Sequence, residues 1–154
     1  MPMSQNRSIL VGSLITSFVS FVLLVTTDFA GWEEEVEFVT GTIYRTYSIS
    51  ITSGYFIIIG ALAGGLLYAT YVSYLFLRIG DPAPDLKRLR LAIYGATAVA
   101  VASFVAGVLF LVVLSIKDTN DWWLDTGFYG GLIGGALTAI LLRLGLKTIE
   151  QELK

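Results

Sequence analysis

The amino-acid sequence predicts an all-α membrane protein: a four-helix transmembrane bundle with a small extracytoplasmic β-hairpin between helices 1 and 2. Three observations carry this. The 154 residues are 55% hydrophobic and only 14% charged, with a mean hydropathy of +0.76; a soluble domain of this size needs more charge on its surface. The charged residues are gathered into a few stretches, leaving four long apolar gaps. Between the first two gaps lies a polar stretch in which β-branched and aromatic residues alternate with polar ones, the pattern of a strand.

Arg7 and Asp28 bracket 20 uncharged residues, Ser8 to Thr27, enough to cross about 30 Å of hydrocarbon at about 1.5 Å per residue. The first helix is therefore placed at about residues 8–28. With a single basic residue before it and no small-x-small site at Val25-Thr26-Thr27-Asp28-Phe29-Ala30-Gly31, it reads as a retained helix and not as a cleaved signal peptide. The polar stretch follows. Glu35-Val36-Glu37-Phe38-Val39 alternates, Thr40-Gly41-Thr42 offers a turn, and Ile43 to Ile51 alternates again. In that second run Ile43, Arg45, Tyr47, Ile49 and Ile51 share one face. The hairpin is placed at about residues 33–52. Because an isolated hairpin is marginal in water, it must pack on something, and the short Lys117–Asp125 loop with Trp122 and Trp123 is the nearest support.

The second helix is placed at about residues 54–78, the third at about 86–116 and the fourth at about 126–147. Pro82 and Pro84 stop the second helix, and Asp85 stands where an N-cap would start the third. Arg143 lies close enough to the end of the fourth to snorkel, and the tail from Lys147 continues that helix into the cytoplasm. The chain is expected to form one domain over residues 1–154.

Sidedness follows from the basic residues. Arg7, Arg78, Lys87, Arg88, Arg90, Arg143, Lys147 and Lys154 fall on the side of the termini, and only Arg45 and Lys117 on the other. The positive-inside rule then puts both termini in the cytoplasm, with the plasma membrane the expected location.

The absence of cysteine and histidine excludes disulfides, thiolate metal sites, histidine-ligated haem and histidine acid–base chemistry. No Asp, Glu, Lys or Arg lies mid-span, where transporters and proton-driven pumps usually need one. There is no P-loop and no G-x-S-x-G. The expectation is a protein without catalytic residues, cofactor or metal, and a net charge of −2 gives no reason to expect a nucleic-acid partner. Eight acidic residues (Asp28, Glu33, Glu34, Glu35, Glu37, Asp118, Asp121 and Asp125) crowd the outer side; without a ligand spacing they read as a solvated, orienting face.

Small residues are the remaining signal. Gly60 and Gly64 are spaced i,i+4 in the second helix, and Gly130, Gly131, Gly134 and Gly135 form two interleaved GxxxG steps in the fourth. The third carries the rows Ala92, Ala96, Ala100 and Ala98, Ala102, Ala106. Such rows let helix backbones approach closely, either inside this bundle or against another subunit. Trp32, Trp122 and Trp123 fall at outer helix ends and are expected to be interfacial anchors. Tyr68, Tyr71 and Tyr74 run toward the cytoplasmic end of the second helix, in interfacial packing.

In layout the chain resembles the claudin-like tetraspan membrane proteins, a group that includes tight-junction claudins, peripheral myelin protein and auxiliary subunits of glutamate receptors. The resemblance rests on topology over the whole chain, on Trp32 just after the first helix, and on Phe128-Tyr129-Gly130-Gly131 leading into a Gly/Ala-rich fourth helix. That family's G-L-W signature and cysteine pair are absent, with Gly31-Trp32 followed by glutamates in their place. The resemblance implies lateral or cell–cell assembly, or an auxiliary role beside a larger membrane protein. The functional expectation is accordingly a non-enzymatic accessory or scaffolding subunit, a homo-oligomer or the companion of a larger membrane complex. The alternative is an oligomeric channel or transporter using the hydroxyls Ser13, Thr16, Ser17 and Ser20 of the first helix.

Overall fold

The structure, a computed structural model, describes residues 3–53, 55–78, 85–117 and 121–152. Helix α1 (Met3–Thr26) leads into strands β1 (Ala30–Phe38) and β2 (Gly41–Ile49), then α2 (Phe56–Arg78) and α3 (Leu86–Lys117). Strand β3 (Asp121–Leu124) precedes a fourth span made of α4 (Thr126–Tyr129), a π-helical turn (Gly130–Gly134) and α5 (Gly135–Glu152). Four helices are long and apolar enough to cross a membrane, so the chain is a multi-pass membrane protein. The helix bounds expected from sequence agree to within a few residues, except that α1 begins at Met3 and α5 runs on to Glu152. The expected start of the second helix at Gly54, the prolines of the middle loop and Asp118 lie outside the described residues.

The helices run up and down, with α1's start and α5's end at one pole of the bundle and the sheet at the other. At the terminal pole Leu10, Leu89, Ala92, Ile93, Leu142 and Ile149 form one buried cluster. Asp85 caps α3 there: its carboxylate accepts from the Lys87 N–H at 3.2 Å, satisfying a backbone donor that has no partner within the helix. Arg90 and Glu150 meet at 2.8 Å and tie α3 to α5, a solvent-exposed pair worth at most about 1 kcal/mol. The main core lies nearer the sheet, where Leu24, Phe29, Ile59, Leu62, Leu66, Val99 and Phe128 pack together.

Close approach is concentrated in the fourth span. A methyl group on Gly135 would lie 2.9 Å from both the Ala100 nitrogen and the Ala96 oxygen of α3. One on Gly131 would strike Ser103 and Leu24, and one on Gly134 would strike Ser20. Gly130 faces Leu23, 3.1 Å from where its Cβ would sit. The Ala92, Ala96, Ala100 row of α3 is buried, its upper part forming the surface that receives Gly135. The π-helical turn occupies this contact. In that geometry carbonyls bond five residues onward and the helix locally widens, and its three glycines are buried.

Above the bundle the sheet has three strands in the order β2-β1-β3. The hairpin is tight: Phe38 pairs with Gly41, and Gly41 has φ 139°, a conformation that costs a side chain strain and glycine little. The third strand comes from the loop expected only to support the hairpin. Asp121 to Leu124 pair antiparallel with Glu33 to Ala30, setting Trp123 opposite Gly31 and Trp122 opposite Trp32. The Trp123 indole covers Gly31, within 2.6 Å of where a Cβ would lie.

Helix α3 outgrows its neighbours. Gly107 is pressed against Phe128 near the start of the fourth span, yet α3 continues to Lys117, about 15 Å farther at 1.5 Å per residue. The base of the sheet leans on this extension: Trp32 meets Phe110 edge-on with centroids 5.9 Å apart and stacks on Tyr47 at 5.2 Å. Past Glu33, β1 and β2 are, among the described residues, paired only with each other, and they are mostly exposed.

Because backbone atoms cannot move aside as a side-chain tip can, Gly135→Ala is expected to destabilise the bundle by about 1–3 kcal/mol. Gly64→Ala, which meets open space, should leave stability unchanged. Unfolding of the purified protein in mixed micelles measures both.

Candidate functional site

The residues singled out in the sequence divide into an interior hydroxyl seam, the sheet surface, and small-residue rows that face outward. The seam is built by helical spacing. Ser13, Ser17 and Ser20 lie on one face of α1 and are all buried, as are Ser73 of α2, Ser103 of α3 and Thr138 of α5. Ser13 Oγ and Ser73 Oγ are 3.0 Å apart. Thr70 donates to Ser17 Oγ at 2.8 Å, and Ser17 donates to the Ser13 carbonyl at 2.8 Å. The Ser13–Ser73 and Thr70–Ser17 bonds join α1 to α2 where the alternative is an unmet polar group in hydrocarbon. Ser103 Oγ and Thr138 Oγ1 are buried without a hydrogen-bond partner. The seam therefore lies within a single bundle. The three serines are buried in the packed interior, and Thr16 is half-buried at its edge.

On the sheet the acids split by strand alternation. Glu33, Glu35 and Glu37 take one face, while Glu34 shares the other with Trp32 and accepts from the Trp32 indole N–H at 3.1 Å. Glu33 accepts from the Thr46 hydroxyl at 3.3 Å. Asp125 caps α4, taking the Thr126 N–H at 2.6 Å, while its own N–H donates to the Phe29 carbonyl at 3.0 Å. Among the described residues no three acidic side chains converge into a group that could hold a metal ion. Of the three tryptophans, Trp32 and Trp123 are engaged in the sheet as described above, and Trp122 is exposed opposite Trp32. Along α2, Tyr71 and Tyr74 are exposed, and Tyr68 packs against the core of the terminal pole.

The small residues separate more sharply. Gly130, Gly131, Gly134 and Gly135 are consumed inside the bundle. Gly60 and Gly64 have nothing within 4 Å of where a Cβ would stand; with Ala61 they form a shallow apolar surface on the outside of α2. Ala98 and Ala102 are likewise exposed on α3. Glycine spacing alone could not separate these two roles, because i,i+4 glycines look the same whichever face they occupy. The strand β3 was also illegible: four residues, Asp-Trp-Trp-Leu, are too few for a periodicity. The clue was the complementarity between an unshielded Gly31 and the tryptophans across from it.

A buried hydroxyl without a partner is a net cost, so Ser103→Ala is expected to leave the folding free energy equal or slightly raised. Ser73→Ala, which breaks a link between α1 and α2, should lower it by about 0.6–1.7 kcal/mol; the same micellar unfolding assay separates them. No family model matches the chain, and no solved structure matches it.

Proposed function

We propose that this chain is a non-enzymatic subunit of a membrane assembly. It packs side by side with a second copy or a larger membrane protein through the outer face of α2, and presents its sheet on the extracytoplasmic side. The observation that carries the reading is the open Gly60–Gly64 step. The bundle satisfies its own need for close helix contact through the fourth span, so this second step is left over on the lipid-facing surface. A flat small-residue surface gains dispersion contacts from a neighbouring helix that flexible lipid tails cannot match. The upper hairpin adds a second surface, since Phe38, Ile43 and Tyr44 are exposed there. The basic residues at the terminal pole favour cytoplasmic termini, as in the claudin-like layout, and the plasma membrane is the membrane we assign. Channel or transport activity is the weaker reading, because Ser13 and Ser17, two of the four hydroxyls it would use, are bonded within one bundle.

Extraction in a mild detergent, followed by native mass measurement and identification of co-purifying proteins, tests the proposal. A homo-oligomer or a stoichiometric larger partner is expected, and Gly64→Ile should dissociate it while the monomer keeps its unfolding profile. A wild-type chain that stays monomeric and carries no partner sinks the reading. Solute flux in proteoliposomes would favour the channel instead.

A further inference from the structure

Helices α2 and α3 touch where Gly65 approaches Val99 and the Gly95 carbonyl. Between them, closer to the sheet, lies a cleft of about 290 Å³. Its floor is Ile59 and Leu62 of α2, only 3% and 8% exposed, with Ala106 of α3 beside them. Its roof is Phe29 and Ile49, held together by the Phe29 N–H donating to the Ile49 carbonyl at 2.7 Å. The rim is different. Ile58 on one side and Leu109 and Val113 on the other line the cleft, yet are 58%, 58% and 51% exposed. The cleft is thus closed above and behind and open sideways, between two helices that span the membrane.

The geometry points to a binding site for one alkyl chain of a glycerolipid, taken laterally from the sheet-side leaflet. Water is excluded as occupant because the walls are aliphatic and aromatic apart from the Tyr55 phenol, and a buried water needs two to four polar partners. An apolar cavity of about 150 Å³ accepts one benzene ring. This cleft, about twice as large, suits a single chain better than a fused polycyclic lipid. What faces its mouth in the bilayer is acyl chain, so the occupant needs no entry path through protein. The Phe29–Ile49 roof stops the chain from running on into the sheet, so the polar end leaves at the Tyr55 side. The inference does not depend on lateral assembly through Gly60 and Gly64.

The test uses the full chain in phosphatidylcholine nanodiscs doped with phosphatidylcholine that bears a diazirine near the end of one acyl chain. After illumination, adducts are mapped by mass spectrometry. Adducts at Ile59, Leu62 and Ala106 are expected to exceed those at Val101 and Val105, which face outward on α3. Ala106→Phe fills the floor and Ile58→Trp covers the mouth from an exposed position. Each should abolish the adducts at Ile59 and Leu62 while those at Val101 persist, and the second variant alters no buried residue. Floor adducts no more frequent than at Val101, or undiminished in both variants, overturn the proposal. So does floor labelling by a water-soluble carbene precursor, which would make the cleft wet. Cross-links between rims of two chains would overturn it as well, assigning the cleft to a second copy.

Discussion

Inside a bilayer an apolar helix gains nothing by exchanging lipid for another apolar helix, so cohesion depends on how closely backbones can approach and on which polar groups they satisfy. In this chain that dependence rests on the fourth span. Gly130 and Gly134 receive Leu23 and Ser20 of α1, while Gly131 and Gly135 receive Ser103 and the backbone of α3 at Ala96 and Ala100. One span thus brings α1 and α3 together, and α2 is added by hydroxyl bonds to α1 and by the Gly65–Gly95 approach to α3. The π-helical turn falls at the same place, where glycines leave room for the widened backbone.

The sheet depends on the same packing. Phe29 meets Phe128 edge-on at 5.5 Å, and the Gly127 N–H donates to the Asp28 carbonyl at 3.0 Å. The end of α1 and the start of the fourth span are therefore joined directly. This junction sets β1 beside β3, and β3 in turn makes a marginal hairpin into a three-stranded sheet. The surplus length of α3 supplies a wall for it at Phe110. Where α3 and the sheet base diverge from α2, the lateral cleft remains.

Function follows from what the packing leaves unused. Interior glycines and serines are spoken for by neighbours in the same bundle, and so carry structure. Among the residues still open to the membrane or to water are Gly60, Gly64, Ala98 and Ala102 on the helices, the upper hairpin, and the cleft rim. Assembly is the function we propose for them.

The number of spans, their order, the antiparallel run of helices and the presence of β-structure after the first helix were all legible in the sequence. Each depends on local quantities: the length of an uncharged run, a period of two, a capping Asp85. The hairpin's face was legible too, for Tyr47 and Ile49 do turn toward the core side, with Tyr47 on Trp32 and Ile49 packed against the main cluster. Tertiary structure alone decided which small residues face inward, that Trp122 and Trp123 belong to a strand, and that α2 and α3 part to leave a cleft. Those outcomes depend on the rotation of each helix about its axis and on its height relative to the others. A spacing of four residues records that a helix has a small-residue face; only the other three helices determine where that face points.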